Sequence, residues 1–280
     1  MRCVVECEVK REALVAGIFA DEHLTEVPLA NAPLVKVLTQ VRFPVIAKIG
    51  TSEGIQGFQE RLRVRYPVTR QETPLALIVG PAGPIQSQIQ GTVWRMSEAD
   101  GPWTVVLAQD FVALETSFYS TRDDLLERWR EVLDALSTLD PGPVVYDRLG
   151  VRYVDRVVGN EFVEDLPKLV RSEILGPTNM ERSEGELLVA SVSQALFRLS
   201  SMQVKAAWGV VPENTVIVPG IEAVPERSWI LDVDAFVEEN GQVFSTDHVV
   251  EETRLGSQRA YAFFRWVVTD EFLRRFGGEA

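Results

Sequence analysis

From Thr121 to Leu139 the chain carries Leu125, Leu126, Trp129, Val132, Leu133, Leu136 and Leu139 at the spacing of one helical face, and Asp-Pro-Gly-Pro at 140–143 stops the pattern. Thr121 is placed to cap this helix, with Asp123 and Asp124 in a first turn whose dipole favours negative charge. A helix with a single apolar stripe must bury it against another layer, and the residues before it read as sheet. Positions 34–43 alternate as a strand bracketed by Pro28, Pro33 and Pro44, and Ile55, Phe58 and Leu62 set a short helix at 54–65. "IQSQIQGTVWRM" and, after the Asp100-Gly101 turn, "WTVVLAQDFVALET" continue as strands.

Beyond residue 143 the order repeats: a strand at 146–157, a short helix in "DLPKLVRSEIL", strands at "ASVSQALFRLS", "QVKAAWGVV" and "SWILDVDAFVEE", and a closing amphipathic helix at 257–275. The expected fold is therefore α+β: a tandem pseudo-repeat of β-α-β(n)-α units, 27–140 and 141–280, after an extension of 1–26. A meander closed by an amphipathic helix gives one curved antiparallel sheet with its helices on one face. This element order resembles the duplicated saddle of the TATA-binding protein and the helix-grip folds, a likeness that says nothing about function.

A formal charge of −13, from 28 Lys+Arg against 41 Asp+Glu, argues against non-specific binding to nucleic acid or anionic membrane and leaves room for a basic protein partner. The two cysteines, Cys3 and Cys7, make no disulfide framework. The charged start "MRCVVECEVKREALVAGIF" lacks the apolar run of a signal peptide, and no stretch reaches the ~20 apolar residues of a membrane span. A cytoplasmic protein with no membrane contact is expected.

Against that acidic background, "YDRLGVRYVDRV" stands out. Strand alternation puts Leu149, Val151 and Tyr153 on one face and Arg148, Arg152 and Arg156 on the other, while Lys36, Gln40 and Arg42 share a face of the equivalent strand in the first half. Arg148, Arg152, Arg156, Lys36 and Arg42, with Gln86, Gln88 and Gln90 near them, would form a basic open face able to bind phosphate, carboxylate or a nucleic-acid backbone. The competing reading pairs these arginines with Asp147, Asp155, Asp232, Asp234 and Glu238 as cross-strand ion pairs.

Catalytic signals are sparse. The two histidines, His23 and His248, have no spaced His/Cys companions for zinc, and His248 in "STDHVV" reads as a surface or capping residue. Asp232 and Asp234 lie about 7 Å apart on one strand face. That pair is suited to Mg²⁺, yet better explained by salt bridges to the arginine strand. "GPAGP" at 80–84 is a turn, since proline removes the N–H donors of a phosphate cradle. The tryptophans on strands read as core. No cofactor and no metal is expected.

Taken together, "NAPLVKVLTQVRFP", "FQERLRVRYP", "VALETSFYSTRDDLLERW", "RLGVRYVDRV", "SWILDVDAF" and "FFRWVVTDEFLRRFG" resemble a bacterial family of unknown function with a sporadic distribution across genomes. The likeness runs from about residue 27 to the end, and Asp155 stands where that family usually has Asn. Patchy distribution implies mobile accessory genes of toxin–antitoxin or phage-defence type. The functional expectation is a non-catalytic binding protein, the neutralising or accessory partner of a protein encoded nearby. An anionic-ligand or nucleic-acid module using the basic face, and an enzyme acting on a phosphorylated substrate, are the alternatives. The sequence leaves the oligomeric state open.

Overall fold

The computed structural model of the chain describes residues 17–19, 24–72, 75–80, 83–88, 91–217 and 221–278, with backbone alone for 75–80 and 83–88. His23, Cys3, Cys7 and Gln90 lie outside these residues. The strands are β1 (Leu34–Arg42), β2 (Val68–Glu72), β3 (Leu75–Gly80), β4 (Gly83–Gln88), β5 (Val93–Ser97), β6 (Trp103–Ala108), β7 (Phe111–Thr116), β8 (Val145–Val158), β9 (Ser191–Arg198), β10 (Gln203–Val211) and β11 (Ser228–Val243). The helices are α1 (Gln56–Leu62), α2 (Arg122–Leu136), α3 (Asn160–Glu164), α4 (Leu166–Leu169), α5 (Ser172–Leu175), α6 (Thr246–Val267) and α7 (Asp270–Arg275).

Nine strands make one antiparallel sheet in the order β2-β5-β6-β7-β1-β8-β11-β10-β9. The two longest strands, β8 and β11, lie side by side near the centre, and β8 also pairs with β1. β3 and β4 form a separate two-stranded hairpin. "IQSQIQGTVWRM" is thus divided between β4 and β5 and is not a single strand; Gly91, with φ of 155°, sits at the break, a conformation glycine adopts without a Cβ penalty. "WTVVLAQDFVALET" is likewise a hairpin of β6 and β7.

Pairing fixes which residues share a side. Val37, Thr39 and Val41 of β1 stand opposite Tyr153, Val151 and Leu149 of β8, which in turn face Val233, Ala235 and Val237 of β11. This side joins the stripes of α1, α2, α6 and α7 in one continuous core. In α2, Leu125, Trp129, Val132, Leu133 and Leu136 are fully buried, each contributing about 1.5–3 kcal/mol of apolar transfer. The Thr121 side chain caps α2 by accepting from the Asp124 N–H at 3.2 Å.

The closing helix is longer than the sequence pattern indicates. It begins at Thr246 and breaks at Val268, where Val268 bridges to Val170 and the Thr269 hydroxyl caps α7. Gly256 lies where α6 meets the sheet: a Cβ there would sit 3.0 Å from Val151 Cγ1, so the bare backbone allows the close approach. The described residues before β1 pack on the same layer. Phe19 meets Phe197 and Phe263, Glu26 pairs with Arg122 at 2.5 Å, and the Tyr261 hydroxyl accepts from Val27 N–H at 2.7 Å. Among the described residues no helix is long and apolar enough to cross a membrane.

Candidate binding face of the sheet

The other side of the sheet carries a second, small apolar cluster, Val93, Val106, Ala108 and Ala113 with Leu38 and Phe111, composed of strand residues alone. Around it lie polar and charged side chains whose positions follow from register. Arg42 stands opposite Arg148, Leu38 opposite Arg152, Lys36 opposite Val154 and Ile230 opposite Arg156. All five residues singled out in the sequence, Arg148, Arg152, Arg156, Lys36 and Arg42, therefore fall on this one face. Extending the same parity across nine strands adds Arg70, Arg95, Arg198 and Lys205 as cations and Glu72, Glu115, Asp232, Asp234 and Glu238 as anions. Nine cations less five anions give the strand residues of this side a formal +4, within a chain of −13; Asp110, in the turn between β6 and β7, adds a carboxylate beside Arg42.

Most of these cations are engaged. Arg152 grips Asp232 with two parallel hydrogen bonds, Nε to Oδ1 at 2.7 Å and Nη2 to Oδ2 at 2.5 Å. Arg148 donates to Asp234 Oδ2 at 2.7 Å and lies 4.7 Å above the Phe236 ring. Lys36 and Arg95 converge on Glu115 at 3.0 and 2.7 Å, and Arg95 also reaches Glu72 at 2.8 Å. Arg42 is more exposed and stands 3.9 Å from Asp110. Of the carboxylates that the sequence pattern offered as partners, Asp232 and Asp234 take that role, whereas Asp155 points into the opposite layer, opposite Leu231. Gln86 and Gln88 belong to the separate β3–β4 hairpin and not to this sheet.

Gly150 makes the Arg148 pairing possible. A Cβ at position 150 would stand 3.0 Å from Arg148 Nη1, 3.2 Å from Asp234 Oδ1 and 3.3 Å from Phe236 Cβ, so the guanidinium crosses the strand over a residue with no side chain. Burial raises the Asp234 carboxyl above its ordinary range, while the Arg148 and Arg152 charges oppose that rise. Hydrogen bonding to Asp232 holds Arg152 firmly protonated.

Arg156 behaves differently. It is 4% exposed, and among the described residues no carboxylate pairs with it: Nε donates to Ser228 Oγ at 2.9 Å, Nη1 to the Glu222 carbonyl at 2.9 Å and Nη2 to the Thr215 carbonyl at 3.4 Å. Burial lowers its pKa. Its guanidinium ties the chain between β10 and β11 to the end of β8. The sequence reading grouped Arg156 with its neighbours because period-2 spacing gives the face of a side chain, and only tertiary structure shows that a loop lies over it.

Sequence reasoning also missed Asp155 as a buried ionisable group. It is 6% exposed on the helix side, and burial, with a smaller contribution from Asp232, raises its pKa to about 7. His248 lies exposed in the first turn of α6, its ring 6.3 Å from that of Tyr146. Trp94 and Trp208 donate to the Ile49 and Ile174 carbonyls at 2.7 and 2.9 Å, each anchoring a connection to the sheet. No family model matches the chain, and no curated protein matches it.

Proposed function

We propose that this is a non-catalytic binding protein that engages an anionic partner across the helix-free face of its sheet. The observation that carries this reading is the excess of cations among the strand residues of one face, nine against five anions, in a chain whose formal charge is −13. A local positive field on an acidic protein draws an anionic surface to one place and repels it elsewhere, which confers orientation as well as affinity. The ion pairs at the centre hold the arginine side chains in fixed positions, so that their outward N–H groups are ordered before a partner arrives.

We further infer that the two halves, 27–140 and 141–280, are pseudo-repeats and that the sheet is a saddle of the TATA-binding-protein or helix-grip kind. Strand order supports this. The first strand of each half, β1 and β8, is central; the last, β7 and β11, lies beside it; and each half ends on a long helix. The extra strand β2 and the hairpin β3–β4 would then be additions to the first copy. A protein-neutralising role in a toxin–antitoxin or phage-defence locus is supported by the acidic balance of the chain as a whole, −13, which suits a basic partner.

Two polyanions, poly-glutamate and a single-stranded oligonucleotide, and the polycation poly-lysine serve as probes. Salt-sensitive binding of a polyanion, lost on Arg42→Glu, supports the sheet-face reading. Binding of poly-lysine alone overturns it in favour of the helix side, and binding of none rejects both.

A further inference from the structure

The sheet ends on two edges of different character. β2 carries Arg70 and Glu72, both exposed, and charge on an edge strand discourages stray pairing. β9 has no such protection over most of its length. It pairs with β10 alone, and among the described residues no backbone group pairs with its outer side. Val192 and Leu196 point to the helix-free face at 57% and 58% exposure, and the approach to the strand exposes Leu187 and Val189 at 65% and 55%.

Charge sharpens this edge into a site. Arg198 closes β9, and Lys205 of β10 stands directly opposite Leu196. Both are exposed, and neither has an ion-pair partner among the described residues, unlike Lys36, Arg95, Arg148 and Arg152 nearer the centre. Ser191–Arg198 contains no acidic residue and no proline.

We propose that β9 is a docking edge that accepts an extended acidic segment of a partner protein as an added strand. The segment's backbone completes the ladder that β9 leaves open, which a nucleic acid has no means to do. On the helix-free face its side chains alternate, apolar ones meeting Val192 and Leu196 and acidic ones meeting Arg198 and Lys205. A second copy of this chain satisfies the backbone but brings a strand without a carboxylate, on a body that itself carries −13. The inference is independent of what binds at the centre of the sheet.

The probe is a labelled ten-residue peptide with threonine at every second position and valine and glutamate in turn at the positions between, so that one face of the added strand carries both; the control has lysine in place of glutamate. Anisotropy is read at low and physiological salt, beside amide hydrogen exchange of the full chain. The glutamate peptide is expected to bind, to weaken with salt, and to slow exchange at β9. The double variant Arg198→Gln/Lys205→Gln, at exposed positions with no ion-pair partner among the described residues, should weaken binding roughly five- to tenfold, as two exposed charge contacts give together, and its melting is measured beside it. Arg42→Glu should leave it unaltered, which separates failure of this site from failure of the central face. Equal binding of the lysine peptide, no binding by either peptide, protection at β1 and β8 instead of β9, or a β9-dependent dimer of the free chain would each overturn the proposal.

Discussion

The Arg152 guanidinium and the Asp232 carboxylate meet fork to fork across the β8–β11 seam, on the side of the sheet that none of the described helices covers. The pair is neither fully wet nor fully dry, with side-chain exposures of 33% and 17%. Its removal should therefore cost more than the 0–1 kcal/mol of an ordinary surface pair and less than a buried one. Arg152→Ala is expected to lose about 1–3 kcal/mol in denaturant unfolding, because Asp232 is left charged next to Asp234. Replacing both partners, Arg152→Met with Asp232→Leu, should regain most of that loss, since no charge is then stranded.

Gly150→Ala tests the neighbouring pair. Glycine-to-alanine changes in an accommodating site usually stabilise by about 0.4–1 kcal/mol through the unfolded chain. Here the new Cβ meets Arg148 Nη1 at 3.0 Å and Phe236 Cβ at 3.3 Å, and the sign should reverse. A loss of about 1–2 kcal/mol is expected in a thermal or chemical melt. Arg148→Ala in the Gly150→Ala background should then cost little more.

Asp155 sets a pH dependence. Its folded pKa of about 7 lies above the ordinary carboxylate range, so between pH ~4 and ~7 the folded state holds a proton that the unfolded chain has released. Stability contributed by the neutral form is fully present below pH ~4 and is lost between pH ~4 and ~7, a change of the order of 4 kcal/mol. Asp155→Asn, neutral at every pH, should flatten this decline and raise the melting temperature at pH 8 more than at pH 5. A parallel shift at both values would show that the carboxylate is not responsible.

Arg156→Met should loosen one connection while sparing the sheet. The variant leaves Ser228 Oγ and the Glu222 and Thr215 carbonyls without their donor. Limited proteolysis should reveal new cleavage between residues 212 and 227, with a stability loss of about 1–3 kcal/mol. An unchanged digestion pattern would show that the loop is held by other contacts.

How much of this was legible beforehand depended on the range of the interaction. The stripe of α2, its Thr121 cap and the two faces of β8 follow from periods of 3.6 and 2, which are local properties of the chain. Placing Lys36 and Arg42 on the same side as Arg148, Arg152 and Arg156 needed the pairing of β1 with β8 as well, which local spacing does not give. The pairing of Arg152 with Asp232 was one of two readings, because alternation says which side a residue takes and not which strand stands next to it. The order β2-β5-β6-β7-β1-β8-β11-β10-β9 supplies that neighbour across 80 residues of sequence.

The sequence by itself determined the alternation of strands and helices, the apolar faces and the charge each strand carries, since these rest on neighbours a few positions apart. Tertiary structure alone decided that Arg156 lies under a loop while Arg152 stays half exposed, that Asp155 is buried among apolar side chains, and that β9 is left as an open edge. Those outcomes depend on which distant segment comes to lie against each residue. Desolvation and pairing, which fix a charged group's energy, are properties of that encounter and are absent from the order of residues along the chain.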